Sequence, residues 1–309
     1  MHAAVVTSFT APPRYQEVPE PVAGDGQQVV DVLAAALHPR VRSQADGSHY
    51  SSTGALPLVP GIDAVVRDAS GQLRYALLGD GTLGSMAERT VIETRRSVPL
   101  PAGTDPVAVA AMMNPVMSSW VALRRRIHFE KGSTVLVLGA TGSAGRAALQ
   151  VARRFGAGEV IGAGRDARKL AALGELGADR TLTLDRLAEA ADVDVVIDYL
   201  WGEVTATAMV EVVTHRRDRS APLDWIEIGS MAGQDSSIPS AALRAARLTV
   251  VGSGTGSVPV ADFAAELPEI ALAASRDGFA ITPRTVPLAA VEQAWNEPGG
   301  DGERVVLVP

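Results

Sequence analysis

The segment that decides the fold is Gly132-Ser-Thr-Val-Leu-Val-Leu-Gly-Ala-Thr-Gly-Ser-Ala-Gly-Arg146. Its four consecutive apolar residues, Val135 to Leu138, predict a strand that is buried on both faces of a sheet. Glycines follow at positions 139, 142 and 145, and residues 146–155 then carry apolar side chains at helical spacing. The segment therefore predicts a strand, a glycine-rich turn and an amphipathic helix that ends at Gly156.

The start of that helix is suited to binding an anion. Its first N–H groups have no partner within the helix, its dipole is positive there, and missing side chains allow a diphosphate to come close. A second predicted strand, residues 159–164, follows the helix, which is the context in which dinucleotides bind. In the G-x-G-x-x-G frame, Ala140 occupies the first glycine position and Gly139 lies just before it. The alternative is a tight turn without a ligand.

Composition excludes several classes of function. The 309 residues are 47% apolar and 20% charged, which is typical of a globular protein of one or two domains. A net charge of -7 argues against nucleic acid or an anionic membrane as the main partner. No apolar run approaches the ~18 residues of a membrane helix, and residues 1–7 lack the pattern of a signal peptide, so we expect a cytoplasmic location. The absence of cysteine excludes disulfides and thiolate zinc sites.

Three segments of different character follow one another along the chain. Residues 1–116 are rich in short β-type runs, residues 117–260 alternate strand and helix, and residues 261–309 are mixed. The middle segment predicts a doubly wound parallel sheet, with strands at residues 135–138, 159–164, 180–184, 193–198, 225–229 and 248–252. Outside it we predict a strand over 84–92, a helix from Pro106 that breaks at Asn114-Pro115 and resumes at Ser118, a helix over 261–267 and a closing strand over 304–308.

Five motifs together resemble the medium-chain dehydrogenase/reductases, in their zinc-free quinone oxidoreductase branch. The motifs are Glu17-Val-Pro-Glu-Pro21, His49-Tyr50 followed by Leu56-Pro-Leu-Val-Pro-Gly61, Gly84-Ser-Met-Ala-Glu88, Gly139-Ala-Thr-Gly-Ser-Ala-Gly145 and Leu176-Gly-Ala-Asp179. The resemblance covers nearly the whole chain. It implies a Rossmann domain at 117–260 and a β-rich, GroES-like catalytic domain at 1–116, completed by the returning segment 261–309.

The resemblance also indicates which site residues to expect. Zinc-dependent members carry a His-Glu pair after the Pro-Gly, but Ile62-Asp63 stands there in this chain, so no metal site is expected. His38 lies near the region of the first zinc ligand and is expected to be satisfied or to face the substrate. Tyr50 resembles the tyrosine that faces the nicotinamide in many members, although a surface tyrosine is the alternative. Asn114 and Ser118 occupy positions where residues of the family line the nicotinamide pocket; a helix-interrupting Asn-Pro and a helix cap are the alternatives.

The remaining cofactor residues follow from where this fold binds dinucleotides. Ligands lie at the carboxyl ends of the parallel strands, near the turn after the first strand. The residues predicted there are Thr141, Gly142, Ser143, Ala144, Gly145, Tyr199, Gly229, Ser230, Gly252 and Ser253.

The end of the second strand distinguishes NADPH from NADH. A carboxylate there binds the ribose hydroxyl of NAD, whereas a small residue followed by a base accommodates a 2′-phosphate. The sequence offers Gly164 and Arg165, with Lys169 one helical turn on, which predicts NADPH. Asp166 could serve the ribose instead, but its position favours a helix N-cap. Arg168 fits a solvated helix face better than a phosphate site.

From these residues we predict an NADPH-dependent, zinc-independent reductase of quinones or α,β-unsaturated carbonyl compounds. Without a metal, a conjugated acceptor is easier to reduce than a simple carbonyl, and Tyr50 is the candidate donor to its oxygen. One alternative is a non-catalytic NADPH-binding protein. Another is a short-chain carbonyl reductase, but no tyrosine is followed four residues later by the lysine that such enzymes need. The resemblance implies a homodimer through the last strand of the nucleotide sheet, residues 248–251, and a monomer is the alternative.

Overall fold

The computed structural model describes residues 1–254, 256–276, 278–297 and 302–309. The chain divides into two compact units. The first contains Met1–Asn114 and Ala264–Pro309, and the second contains Pro115–Phe263. The fold is mixed α/β, with a parallel sheet in the second unit and a β-rich first unit.

The secondary structure of the described residues comprises fifteen strands and eight α-helices. The strands are β1 His2–Val5, β2 Arg14–Glu17, β3 Gln27–Ala36, β4 Asp63–Arg67, β5 Leu73–Leu77, β6 Arg89–Glu93, β7 Ser97–Pro99, β8 Thr134–Leu138, β9 Glu159–Gly164, β10 Arg180–Thr183, β11 Val195–Asp198, β12 Leu223–Glu227, β13 Leu248–Gly252, β14 Thr282–Pro287 and β15 Glu303–Val308. The helices are α1 Pro39–Ala45, α2 Pro106–Val121, α3 Ser143–Arg154, α4 Ala167–Ala171, α5 Gly202–His215, α6 Ser240–Ala245, α7 Val260–Arg276 and α8 Val291–Asn296. Short 3-10 turns lie at Thr94–Arg96, Gly174–Leu176, Leu184–Ala190 and Leu288–Ala290.

The second unit is built around a six-stranded parallel sheet in the order β10-β9-β8-β11-β12-β13. The chain runs outward from β8 in one direction and then returns to lay β11 on its other side, which is the doubly wound arrangement that the sequence predicts. Val135 to Leu138 are fully buried, as expected for a central strand covered on both faces. In sheets of this kind ligands bind in a crevice beyond the carboxyl ends of the strands where the strand order reverses, which is the position of β8 and β11 here.

The first unit contains a seven-stranded sheet and a two-stranded sheet of β1 and β2. The larger sheet has the order β14-β15-β3-β4-β5-β7, with β6 also paired to β3. The closing strand β15 pairs antiparallel with β3, where Val306 lies opposite Ala36. The chain therefore returns at its end to complete the sheet that it began near its start.

Two predicted helix boundaries at prolines are wrong. Helix α2 runs unbroken through Asn114-Pro115 and is extended by a π-helical turn, Ala122–Arg126. Helix α7 likewise passes Pro268 and ends at Arg276. A proline inside a helix removes one hydrogen bond, and burial of neighbouring apolar side chains such as Val116 outweighs that loss in α2.

The stretch Pro106–Arg126 is long and apolar enough to cross a membrane, contrary to the sequence-based reading of the apolar runs. However, 72% of its most apolar part is buried inside the protein, which is what the core helix of a globular domain also shows. In the sequence, Pro115 divides this stretch into two shorter predicted helices.

The strand predicted over residues 84–92 is shorter than expected, because β6 begins only at Arg89. A Cβ atom added to Gly84 would lie 2.5 Å from the carbonyl oxygen of Pro60. The amide of Met86 donates to that same oxygen at 3.0 Å. Residues 84–86 therefore pack against the Pro60-Gly61 turn rather than continuing β6.

Candidate dinucleotide-binding site

The glycine turn between β8 and α3 begins at a left-handed residue. Gly139 has φ +81°, a backbone conformation that favours glycine. The amides of Gly139 and Ala140 both donate to the carbonyl oxygen of Ala163, each at 3.0 Å, which fixes the turn to β9. Gly139 therefore makes the tight turn, and Ala140 is buried behind it. The substitution of alanine in the first glycine position is thus compensated by the glycine just before it.

The other two glycines of the turn have different roles. A Cβ atom added to Gly145 would lie 2.3 Å from the carbonyl oxygen of Gly139, so only glycine allows α3 to approach β8 this closely. At Gly142 the nearest atom to such a Cβ lies 3.6 Å away, and the residue is exposed. Gly145 serves packing between helix and strand, whereas Gly142 leaves space above the start of the helix.

The first turn of α3 offers unpaired backbone donors. Gly142 is the N-cap and provides no side chain to accept a hydrogen bond. The amides of Ser143, Ala144 and Gly145 precede the first intrahelical bond, which Arg146 donates to the oxygen of Gly142 at 2.8 Å. No acidic residue lies in this turn. An anion at this point would satisfy the amides and the helix dipole together.

Arg146 is a further candidate that reasoning from the sequence missed. Its Nε is buried and has no hydrogen-bond partner in the part of the chain that the structure describes. A cation in the first turn of a helix is opposed by the helix dipole. A buried unpaired donor is also costly, and a bound anion would relieve both effects. A basic residue directly after the third glycine was the available signal.

The end of β9 presents an arginine that is unpaired among the described residues and a carboxylate that is already hydrogen-bonded. Arg165 is exposed and makes no hydrogen bond or ion pair with any described residue. Asp166 caps α4, because its Oδ1 accepts from the amide of Arg168 at 2.9 Å and from that of Lys169 at 3.4 Å. These two backbone hydrogen bonds hold the pKa of Asp166 below its usual value, and the bond from Lys169 has the larger effect. The N-cap interpretation of Asp166 is confirmed.

Gly164 lies beside the glycine turn. A Cβ atom added to Gly164 would lie 3.2 Å from the Cγ2 of Thr141, so the end of β9 and the turn after β8 are in contact. Lys169 is exposed on α4, one turn beyond Arg165.

Tyr199 and Ser118 form a hydrogen-bonded pair within the second unit. Their hydroxyl oxygens lie 2.9 Å apart. The hydroxyl of Ser118 also lies 2.8 Å from the carbonyl oxygen of Pro115, to which it can donate. Burial raises the pKa of Tyr199 to about 12, against the opposing effect of hydrogen bonds to Ser118 and Ser119. Tyr199 is therefore a neutral, fixed phenol at the end of β11.

The ends of β12 and β13 complete the edge of the sheet. Gly229 donates its amide to the carbonyl oxygen of Asp198 at 3.3 Å, and Ser253 donates to that of Glu227 at 2.8 Å. Ser230 is half-buried, and Gly252 is exposed. Burial, and secondly the charge of Asp198, raise the pKa of the Glu227 carboxyl. The structure thus brings the predicted residues of the second unit together along one edge of its parallel sheet.

Two of the predicted residues, Tyr50 and Asn114, belong to the first unit. Tyr50 is 73% exposed, and its ring lies 4.3 Å from that of His49. Asn114 is half-buried in α2. Their roles toward a nicotinamide or a substrate stay predictions.

His38 belongs to a buried polar cluster, which we define as His38, Asp63 and Tyr75. The imidazole Nε2 lies 3.2 Å from Oδ1 of Asp63, and Tyr75 donates its hydroxyl to Oδ2 at 2.7 Å. His38 is 2% exposed, and burial is the main cause that lowers its pKa, against the raising effect of Asp63. His38 is therefore satisfied by a carboxylate. Among the described residues, no group of three or more His, Asp or Glu side chains could hold a metal ion.

Comparison with known proteins gives consistent relatives. A family model described as zinc-binding dehydrogenase matches residues 144–272. The chain is 30% identical to a probable NADPH-dependent quinone reductase of Emericella nidulans, over 100% of both chains. It is 28% identical to an NADPH-dependent alkenal/one oxidoreductase of Arabidopsis thaliana, over 56% of this chain and 50% of that one. The solved quinone oxidoreductase of Thermus thermophilus, also described as a complex with NADPH, superposes with a TM-score of 0.82, at 26% identity and full coverage of both chains.

Proposed function

Since this chain belongs to the medium-chain dehydrogenase/reductase superfamily, in its quinone oxidoreductase branch, we propose that it reduces a quinone or an α,β-unsaturated carbonyl compound with NADPH. The observation that carries the proposal is the open turn above α3, where backbone amides and the Nε of Arg146 lack partners within the described chain. Relatives named for both acceptor classes support the choice of acceptor.

The residues of the second unit fit the cofactor on physical grounds. The amides of Ser143, Ala144 and Gly145 and the guanidinium of Arg146 would bind the diphosphate, with Gly142 and Thr141 forming the wall of the cradle. The strand ends at Tyr199, Gly229, Ser230, Gly252 and Ser253 would line the other mononucleotide half.

Arg165 is the proposed ligand of the 2′-phosphate. Its guanidinium is exposed and unpaired among the described residues, and a planar guanidinium can bind two phosphate oxygens at once. Asp166 already accepts two backbone hydrogen bonds, so it is engaged as a cap rather than available for a ribose hydroxyl. Lys169 adds positive charge one turn later.

The bound nicotinamide would supply the hydride, and the protein must then stabilise charge on the acceptor oxygen. Tyr50 is the proposed donor to that oxygen, because a phenol can donate a hydrogen bond while neutral. The residue is 73% exposed, so it is not part of the core of the first unit. Asn114 and Ser118 are proposed to contact the carboxamide.

We also propose that the protein forms a homodimer through β13. This strand is at the edge of the parallel sheet, and Val250 on it is 37% exposed. An exposed strand edge offers unpaired backbone groups to a second strand. Light scattering of the wild type and of Val250→Lys would test this, and a monomeric wild type would contradict it.

The decisive experiment is a fluorescence titration of the protein with NADPH and NADH, followed by turnover assays on a panel of quinones and enones. We expect tighter binding of NADPH and its consumption with at least one acceptor class. Tighter binding of NADH would refute the assignment of Arg165. Retention of NADPH without consumption would identify a non-catalytic binding protein.

A further inference from the structure

Asp198 is a fully buried carboxylate at the carboxyl end of β11, and four donors surround it. Its Oδ1 accepts from the amides of Leu200 at 2.8 Å and Trp201 at 3.1 Å. Its Oδ2 accepts from the hydroxyl of Thr205 at 2.6 Å and from the indole Nε1 of Trp225 at 3.0 Å. All four partners are neutral. Backbone amides and an indole can only donate, so both oxygens act as acceptors.

The two oxygens have separate tasks. Oδ2 is held by α5 through Thr205 and by β12 through Trp225, which fixes the carboxylate in the unit. Oδ1 binds the turn that leads from β11 into α5. Within that turn Trp201 has φ +52° and ψ −160°, and it is the only non-glycine residue with a positive φ in the part of the chain described here. Such a backbone persists only where surrounding contacts impose it.

The turn at residues 199–202 also contacts the segments on both sides of the proposed crevice. The carbonyl oxygens of Tyr199 and Leu200 accept from the amides of Met231 at 3.2 Å and Ala232 at 2.7 Å, in the loop after β12. On its other side, the Leu200 side chain packs on Gly139, where an added Cβ would lie 3.1 Å from its Cδ2.

We propose that Asp198 is a positioning residue that pre-forms the nicotinamide half of the cofactor site through the turn at residues 199–202. The inference rests on the proposed binding of NADPH. In a doubly wound sheet the adenosine half lies over the first strands, here β8 and β9, and the other mononucleotide lies over the strands beyond the switch point. Asp198 and its turn belong to that second half. Asp198 touches neither cofactor nor substrate and acts only through the backbone that it holds.

The test is Asp198→Ala, measured with NADPH and with 2′,5′-ADP, which carries only the adenosine half and its 2′-phosphate. Alanine removes both acceptor oxygens, so the amides of Leu200 and Trp201 lose the partner that holds the turn. We expect about tenfold or greater weakening of NADPH, as for an unsatisfied buried group, and unchanged affinity for 2′,5′-ADP. Equal weakening of both ligands, or of neither, would overturn the proposal.

Thr205→Val is the matched control. It removes one donor from Oδ2 but keeps both amide bonds that Oδ1 makes with the turn. We expect a lower melting temperature with NADPH affinity retained within about twofold. Loss of NADPH affinity as large as in Asp198→Ala would mean that general stability, not the turn, controls binding, and would overturn the proposal.

A measurement on the wild type covers the case in which Asp198→Ala does not fold. If the turn is pre-formed, hydrogen exchange at the amides of Leu200 and Trp201 is slow without ligand and barely changes with NADPH. Protection that appears only with NADPH would contradict the proposal. If the wild type binds 2′,5′-ADP but its turn becomes protected only with NADPH, the role of Asp198 alone is refuted. If it binds neither NADPH nor 2′,5′-ADP, the proposed function is refuted as well.

Discussion

The dinucleotide turn, residues 139–145, and the buried polar cluster of His38, Asp63 and Tyr75 are built on opposite principles. The turn depends on side chains that are missing: Gly145 admits a carbonyl oxygen where a Cβ would be, and Gly142 leaves its surroundings open. The cluster depends on side chains that are present and satisfy one another, with Asp63 accepting from Tyr75 and lying within hydrogen-bond distance of His38.

The difference shows which polar groups are available for function. The amides at the start of α3 have no acceptor in the helix, so they can bind a ligand without first losing a partner. The cluster is closed, since each charged or polar group already has a partner and lies out of water. We therefore expect added side-chain atoms to disrupt the turn, and we expect changes of protonation to destabilise the cluster.

The largest effect is expected from Gly145→Val. Its side chain would collide with the backbone of Gly139, at 2.3 Å already for the Cβ, so α3 must move away from β8. We expect a loss of about 3 kcal/mol or more in the free energy of unfolding and no measurable NADPH binding. Chemical denaturation and fluorescence titration measure both.

Gly142→Ala separates binding from stability in the same turn. Its φ is −78° and its Cβ would meet nothing closer than 3.6 Å, so the fold should tolerate it. We expect weaker NADPH binding with almost unchanged stability. If this variant unfolds like Gly145→Val, the assignment of separate roles to the two glycines is wrong.

Arg165→Glu tests the charge beside the turn. Loss of a charge-assisted contact and gain of a repulsive one should weaken NADPH by about 1.5–3 kcal/mol, while NADH binding is unaffected. The control is Arg168→Glu, on the exposed face of α4 near Asp166, where we expect a smaller change. Calorimetric titration with both cofactors measures the four affinities, and unchanged NADPH affinity in Arg165→Glu would place the phosphate elsewhere.

The cluster should make stability depend on pH. Burial lowers the pKa of His38, so below the ordinary value of about 6.5 the unfolded chain binds a proton here that the folded protein does not. Stability from this site is complete above that value and falls as the pH decreases, by at most about 1.4 kcal/mol per pH unit.

His38→Gln should flatten this dependence between pH 6.5 and 5, because an amide keeps a donor toward Asp63 but does not titrate. Denaturation curves at several pH values measure the slope. His128→Gln, at an exposed histidine, is the control and should leave the slope as in the wild type. An equally steep decline in His38→Gln would show that another group is responsible.

The smallest effect is expected from Tyr50→Phe. Because the side chain is 73% exposed, water can replace much of the lost hydrogen bond. We expect turnover to slow by about tenfold or less, which is at most about 1.4 kcal/mol in the activation free energy, with NADPH affinity unchanged. Steady-state assays measure this, with Tyr15→Phe on β2 as the matched control. Full activity would remove Tyr50 from the mechanism.

Reasoning from the sequence failed where packing overrode a local signal. Pro115 and Pro268 each indicate a helix end, yet α2 and α7 continue through them. Residues 84–86 alternate like a strand but pack on the Pro60-Gly61 turn. In each case the favoured local structure lost to contacts with residues distant in sequence, which no local pattern contains.

The sequence by itself determined the strand, the glycine turn and the helix at residues 134–154, the parallel sheet and the cap at Asp166. These features follow from neighbouring residues, since helical and strand periodicity, glycine and capping act over a few positions. Only the tertiary structure decided that Gly139 makes the turn and that His38 pairs with Asp63. It also decided that Asp198 collects donors from its own turn, from α5 and from β12. Apart from the bonds within that turn, the hydrogen bonds from Asp198 to α5 and β12 and from His38 to Asp63 join residues 7, 27 and 25 positions apart, and the fold must first bring these residues together.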